Sequence, residues 1–177
     1  MRVIFFDAAG TLIHLPKGVG WHYRDIALRH GLDAPEEALN RAFRNAWKAM
    51  PAPAETRIAR EDDDKGWWRD LVWRVLDGFP AAGGGFNRAA YFEELYLEFI
   101  KPGIWELYPE VSDTLRRLSG EYQLGVLSNF DGRLRIILQH LGISDAFQHW
   151  AISSEVGADK PSRWIFQRAL AMAGASP

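Results

Sequence analysis

The chain has 177 residues and a formal net charge of -2, with 47% apolar and 25% charged residues, a globular balance that excludes disorder. It has no cysteine, which excludes disulfides, thiolate metal sites and cysteine nucleophiles. Near-neutral charge gives no general reason to bind nucleic acid or membrane, and neither a membrane span nor a signal peptide is legible, so the composition predicts a soluble cytoplasmic protein.

The opening Val3-Ile4-Phe5-Phe6 is a continuous apolar run ending at Asp7 and the breaker Gly10. Such a run predicts a strand buried on both faces, as in a parallel sheet. Segments around 20–30 and 36–49 predict helices, stopped by Gly31 and by Pro51-Ala52-Pro53. Trp68, Leu71, Val72, Val75, Leu76 and Phe79 then recur at helical spacing. Ahead of them, Glu61-Asp62-Asp63-Asp64 reads as solvated charge at a helix start, where it suits the dipole. A calcium loop is not supported, because the alternation of ligands and the turn glycine are missing. Residues 78–85 read as a loop, and Phe92, Leu95, Tyr96, Phe99 and Ile100 make another helical stripe before Pro102-Gly103. The middle, residues 15–104, is therefore expected to be all-helical. It holds five of the eight tryptophans, which read mostly as its core.

From Trp105 onward helix and strand alternate. Pro109 opens a helix with Val111, Thr114, Leu115 and Leu118 on one face. Leu124 to Ser128 predicts a second buried strand, Leu134 to Leu141 a helix, Trp150 to Ser153 a third strand, and Ile165 to Ala173 a last helix. This order implies right-handed crossovers and a parallel sheet covered on both faces. The predicted fold class is α/β: a doubly wound, Rossmann-like core from residues 1–14 and 105–177, with 15–104 inserted as an α-helical cap.

Ligands in such sheets gather at the carboxyl ends of the strands. Three segments bring polar residues there: Asp7 with Thr11, Ser128-Asn129, and Asp159-Lys160. A carboxylate closing an apolar strand is costly unless a cation meets it, and Lys160 supplies one. Ser128, Asn129 and Thr11 offer hydrogen bonds to an oxyanion, and Gly10 lets the backbone turn sharply toward a ligand. These parts describe a nucleophilic carboxylate in an anion pocket.

The strings Asp7-Ala8-Ala9-Gly10-Thr11, Leu127-Ser128-Asn129 and Gly157-Ala158-Asp159-Lys160-Pro161 resemble, in order, the first three motifs of the haloacid dehalogenase-like hydrolase superfamily. SNFDGRL and SSEVGADKPSRWIFQRAL are most similar to its domain-containing protein 3 subgroup. The resemblance implies Asp7 as nucleophile and Lys160 as its cationic partner, with Gly10, Thr11, Ser128 and Asn129 around the phosphoryl group. It also implies Mg²⁺ on the Asp7 carboxylate and the Ala9 carbonyl, a cap that closes over the site, and a small phosphorylated metabolite as substrate, with no nucleic-acid or membrane partner.

Two positions depart from the family. Its phosphatases carry a second aspartate two residues after the nucleophile as general acid and base, where this chain has Ala9. Losing such a group typically costs roughly 10²–10⁴-fold in rate. Relatives without it include 2-haloacid dehalogenases, which work without metal, and phosphonate-type C–P hydrolases, which add a cap lysine (here Lys17, Lys48 or Lys65). A third alternative is a non-catalytic phosphate-binding or regulatory protein. The second departure is length: only one helix follows Lys160, and Ala175-Ser176-Pro177 reads as a turn toward a fourth, acidic motif, so a truncated chain with weak Mg²⁺ binding is expected. His14 and His22 follow the first motif and could stand in for the missing acid, but they read more simply as a loop and a surface histidine.

Overall fold

The structure, a computed structural model, describes residues 2–79 and 85–175. Most of the expected 78–85 loop, and Ser176-Pro177 of the expected terminal turn, lie outside the described residues. Contacts divide the chain into two compact units: Met1–His14, Ala52–Asp64 and Trp105–Pro177 form one, Leu15–Pro51 and Lys65–Ile104 the other. The stretch expected to be one helical insert over 15–104 is thus interrupted, because residues 52–64 group with the sheet.

The helical unit contains α1 (Gly18–Arg29), α2 (Glu36–Ala49), α3 (Lys65–Asp77) and α4 (Arg88–Glu98). Their stripes meet in one core that includes Tyr23, Ile26, Leu39, Leu71, Val75, Leu76, Tyr91 and Leu95. Glu36 and Glu37 place negative charge in the first turn of α2. The Asn87 side chain caps α4 by accepting from the amides of Ala89 and Ala90. Trp67 and Trp68 pack on the core, whereas Trp47 and Trp73 are 48% and 38% exposed, so the tryptophans only partly form it. His22 corrects the surface expectation: it is buried, edge-on to Trp21 and tilted against Phe99, with Nδ1 3.7 Å from Glu98.

The other unit has strands β1 (Val3–Phe6), β2 (Ile13–His14), β3 (Glu106–Leu107), β4 (Gln123–Ser128) and β5 (His149–Ile152). Its helices are α5 (Val111–Leu118), α6 (Arg133–His140), the short α7 (Ser153–Val156) and α8 (Arg163–Met172). The main sheet is parallel in the order β1-β4-β5, with Phe6 beside Val126 and Ser128 beside Ile152. Side chains alternate across it. Ile4, Phe6, Leu124, Val126, Trp150 and Ile152 join the core with α5 and α6, while Phe5, Leu127 and Ala151 join Ile165 and Ala169 of α8. Both faces are covered, which is the doubly wound arrangement. β1, expected to be fully buried, is half-buried because it lies at one edge of the described sheet. β2 and β3 pair as a small antiparallel ribbon that two-residue runs are too short to announce.

Candidate active site

The three polar segments follow β1, β4 and β5, the third lying beyond the short α7, and the fold brings Asp7, Ser128 and Lys160 together on one carboxylate oxygen. Asp7 Oδ1 accepts from the Ser128 hydroxyl, from Lys160 Nζ and from the Ala8 amide, each at 2.8 Å. Among the described residues nothing donates to Oδ2, and the Asp7 side chain is 44% exposed. One oxygen is therefore pinned while the other has no donor among the described residues. Parallel pairing explains the meeting: β1 and β4 run in register, so their ends lie at the same edge.

After Asp7 the chain folds back at once. Thr11, Leu12 and Ile13 all donate their amides to the Ala8 carbonyl, and the Gly10 amide donates to Ile13. Gly10 sits at φ +82, a backbone conformation that glycine adopts without strain. Thr11 is exposed beside this turn.

Lys160 is held at several points. Its Nζ donates to the Leu127 carbonyl at 3.1 Å as well as to Asp7. Its main-chain amide donates to Asn129 Oδ1 at 2.6 Å, and its carbonyl accepts from Asn129 Nδ2 at 3.0 Å. The Asn129 side chain, expected on phosphoryl oxygens, is thus engaged with the lysine backbone. His14 lies in β2 with its ring 4.7 Å from that of Tyr108. No hydrogen bond links His14 or His22 to Asp7 among the described residues.

Residues 52–64 contribute a second set of contacts that the sequence reading missed. The amides of Thr56 and Arg57 donate to the Gly157 carbonyl at 2.8 and 3.0 Å, and that of Arg60 to Ser154 at 2.8 Å. Asp63 accepts from the Gly132 amide and from the Ser154 hydroxyl. Asp64 is buried and pairs with Arg60 at 2.8 Å, so neither of these carboxylates is the solvated charge expected at a helix start. Burial pushes the Asp64 carboxyl up to about 6, opposed by Arg60 and reinforced by the nearby Asp159 and Asp131. Glu55, which accepts from the Ser162 hydroxyl and pairs with Arg57, is held below its usual value. Asp131, fully buried at the start of α6, takes the amide and guanidinium of Arg133. The one sequence signal for these contacts was the density of aspartates at 62–64; the partners of Asp63 lie 69 and 91 positions away, and Arg60, four positions before Asp64, reaches Asp159 across 99.

A family model for haloacid dehalogenase-like hydrolases matches residues 1–177. The chain belongs to that family. It is 34% identical to human haloacid dehalogenase-like hydrolase domain-containing protein 3 over 182 residues, covering 100% of this chain and 71% of the relative. Among solved structures it resembles a defluorinating L-2-haloacid dehalogenase (TM-score 0.78, 20% identity, 100% of this chain and 70% of that one). It also resembles a predicted phosphoglycolate phosphatase from Haemophilus somnus (TM-score 0.65, 21% identity, 98% and 72%). The fold of this hydrolase family thus serves proteins described as phosphatases and as dehalogenases. Among the described residues no helix is long and apolar enough to cross a membrane.

Proposed function

We propose that this haloacid dehalogenase-like hydrolase uses Asp7 as a nucleophile on a small phosphorylated metabolite in the cytoplasm. The observation that carries this reading is the asymmetry of the Asp7 carboxylate: three donors on Oδ1, none on Oδ2 among the described residues. The donors fix its direction, and Oδ2 is left to attack phosphorus. In that step the Oδ2–P bond forms and the P–O bond to the leaving group breaks, its electron pair going to the leaving oxygen, which takes a proton from solvent. Water then attacks phosphorus, the P–Oδ2 bond breaks, and inorganic phosphate and the free carboxylate result. Lys160 offsets the repulsion between carboxylate and phosphoryl anion, worth about 4 kcal/mol for unit charges 4 Å apart near a protein surface.

The Asp7 carboxylate and the Ala9 carbonyl are hard oxygen donors and suit Mg²⁺. They would hold it, and when bound the ion supplies Lewis-acid neutralisation of phosphoryl charge. Among the described residues no group of three or more acidic or histidine side chains forms a metal cage, so waters and substrate oxygens would fill the remaining positions. Gly10 and Thr11, at the turn after Asp7, are the groups left to meet the substrate, since Ser128 and Asn129 are engaged internally.

Ala9 favours a second reading, hydrolysis of a carbon–halogen or carbon–phosphorus bond, in which no acid is needed at that position. The deciding assay offers the chain an aryl phosphate, a phosphometabolite panel, a phosphonate and 2-haloacids, with Mg²⁺ and with chelator, against Asp7→Asn. Phosphate release that needs Mg²⁺ and Asp7 supports the proposal. Chelator-resistant halide release supports the second reading, and equal turnover by Asp7→Asn sinks both. Vanadate binding with no turnover of any compound would return a phosphate-binding protein.

A further inference from the structure

We propose that Arg60 is a positioning residue for Lys160, acting through Asp159; this rests on reading Asp7 and Lys160 as the reacting pair. The Arg60 guanidinium reaches Asp64 at 2.8 Å through one nitrogen and Asp159 Oδ2 at 3.2 Å through the other. All three side chains are largely withdrawn from water, at 8%, 9% and 14% exposure. A charge in such a place needs its partner, because an unpaired one bears the full cost of desolvation. Asp159 directly precedes the lysine whose ammonium meets Asp7.

The chain is built to deliver this contact. Main-chain bonds from residues 56, 57 and 60 attach the 52–64 segment to residues 154 and 157, and Asp63 attaches it to Gly132 and Ser154. Gly157 accommodates the crossing: a Cβ there would meet the Ile58 carbonyl, the Thr56 hydroxyl and, at 2.7 Å, the Ile58 amide. The segment thus ties the loop after β4 to the loop after β5. Asn129 and Lys160 lie on these loops and are already joined by two hydrogen bonds. Lys160 is consequently fixed at its amine by Asp7 and Leu127, at its backbone by Asn129, and at its preceding residue by Arg60. Without the guanidinium, Asp64 and Asp159 face each other as like charges, and the residue that leads into Lys160 loses its anchor.

Competitive acetylation of the whole chain, read lysine by lysine by mass spectrometry, tests this without requiring turnover. Arg60→Met and Asp159→Asn are each expected to raise Lys160 labelling roughly tenfold relative to Lys48, and the double variant no further than either alone, since the two act through one contact. Arg60→Lys, which keeps the charge and loses the fork, should fall between and carries the test if Arg60→Met does not fold. Where the chain turns over phosphate, kcat should fall roughly 10–100-fold with KM little changed, as for a misplaced group. Wild-type labelling in a folded Arg60 variant, or additive effects in the double variant, overturns the proposal. A wild-type chain without turnover defeats the functional reading alone, and the labelling still decides the role of Arg60.

Discussion

Asn129 and Lys160 are joined through both main-chain groups of the lysine, the Asn129 amide donating to its carbonyl at 3.0 Å and accepting from its N–H at 2.6 Å. The asparagine that follows the second strand therefore braces the third polar segment. Substituting Asn129→Ala should lower stability by roughly 1 kcal/mol, the usual net worth of such bonds at an exposed site. It should reduce kcat while leaving KM near the wild-type value. A rise in KM with unchanged kcat would show instead that Asn129 binds substrate.

On the phosphatase reading, Ala9 offers the departing oxygen no acid at that position, so the rate should depend steeply on how well that oxygen leaves. Aryl phosphates are expected to exceed alkyl phosphates by roughly 10²-fold or more in kcat/KM, the range that general acid catalysis normally closes. Ala9→Asp should narrow this gap. Equal rates across leaving groups would show that another group protonates them.

Gly157 holds φ +72 directly beneath the Ile58 carbonyl. Gly157→Ala should destabilise the sheet unit by more than about 2 kcal/mol, because left-handed strain adds to overpacking. The loss should be local first: hydrogen exchange at the amides of Thr56, Arg57 and Arg60 is expected to accelerate before that of β4. Unchanged protection there would mean that the crossing is not held by this glycine.

Two buried groups predict opposite responses to pH. The Asp64 carboxyl is raised from 3.8 to about 6, so its contribution is fully present below 3.8 and is lost as pH rises through about 6. Asp64→Asn should gain stability relative to wild type over that window. Burial lowers His22 below 6.5, with Glu98 opposing, so its contribution is present above 6.5 and lost as pH falls below it. His22→Gln should gain relative to wild type on acidification. Melting temperatures between about pH 4 and pH 8 check both, and curves parallel to wild type would refute the assignments.

The legible part of the site was its set of strand ends. Asp7 and Ser128 close apolar runs and Lys160 comes in the loop after the third, so all three could be assigned to one sheet edge, where they now meet on a single oxygen. Asn129 was read by its chemistry as an oxyanion donor, yet its partner is the backbone of Lys160, a choice that amide chemistry alone leaves open. The aspartates at 62–64 looked like an ordinary helix start, because the dipole rule concerns only the neighbouring turn. Asp63 and Asp64 instead face Gly132 and Arg60 within the sheet unit.

Apolar runs, periodicity and stop signals by themselves determined the three parallel strands, the longer helices of both units and the polar residues after the strands, since strands and helices are set by which side chains must leave water every two or every 3.6 residues. The short α7 was not legible, and Ser153, expected to end the third strand, opens it. Only the tertiary structure decided that 52–64 belongs with the sheet, that His22 is buried, and that Arg60 reaches Asp159. The reason is physical: Arg60 and Asp159 are 99 positions apart, and a hydrogen bond across that distance leaves no mark on local hydrophobic spacing. It exists because the fold places the two charges where neither can be hydrated alone.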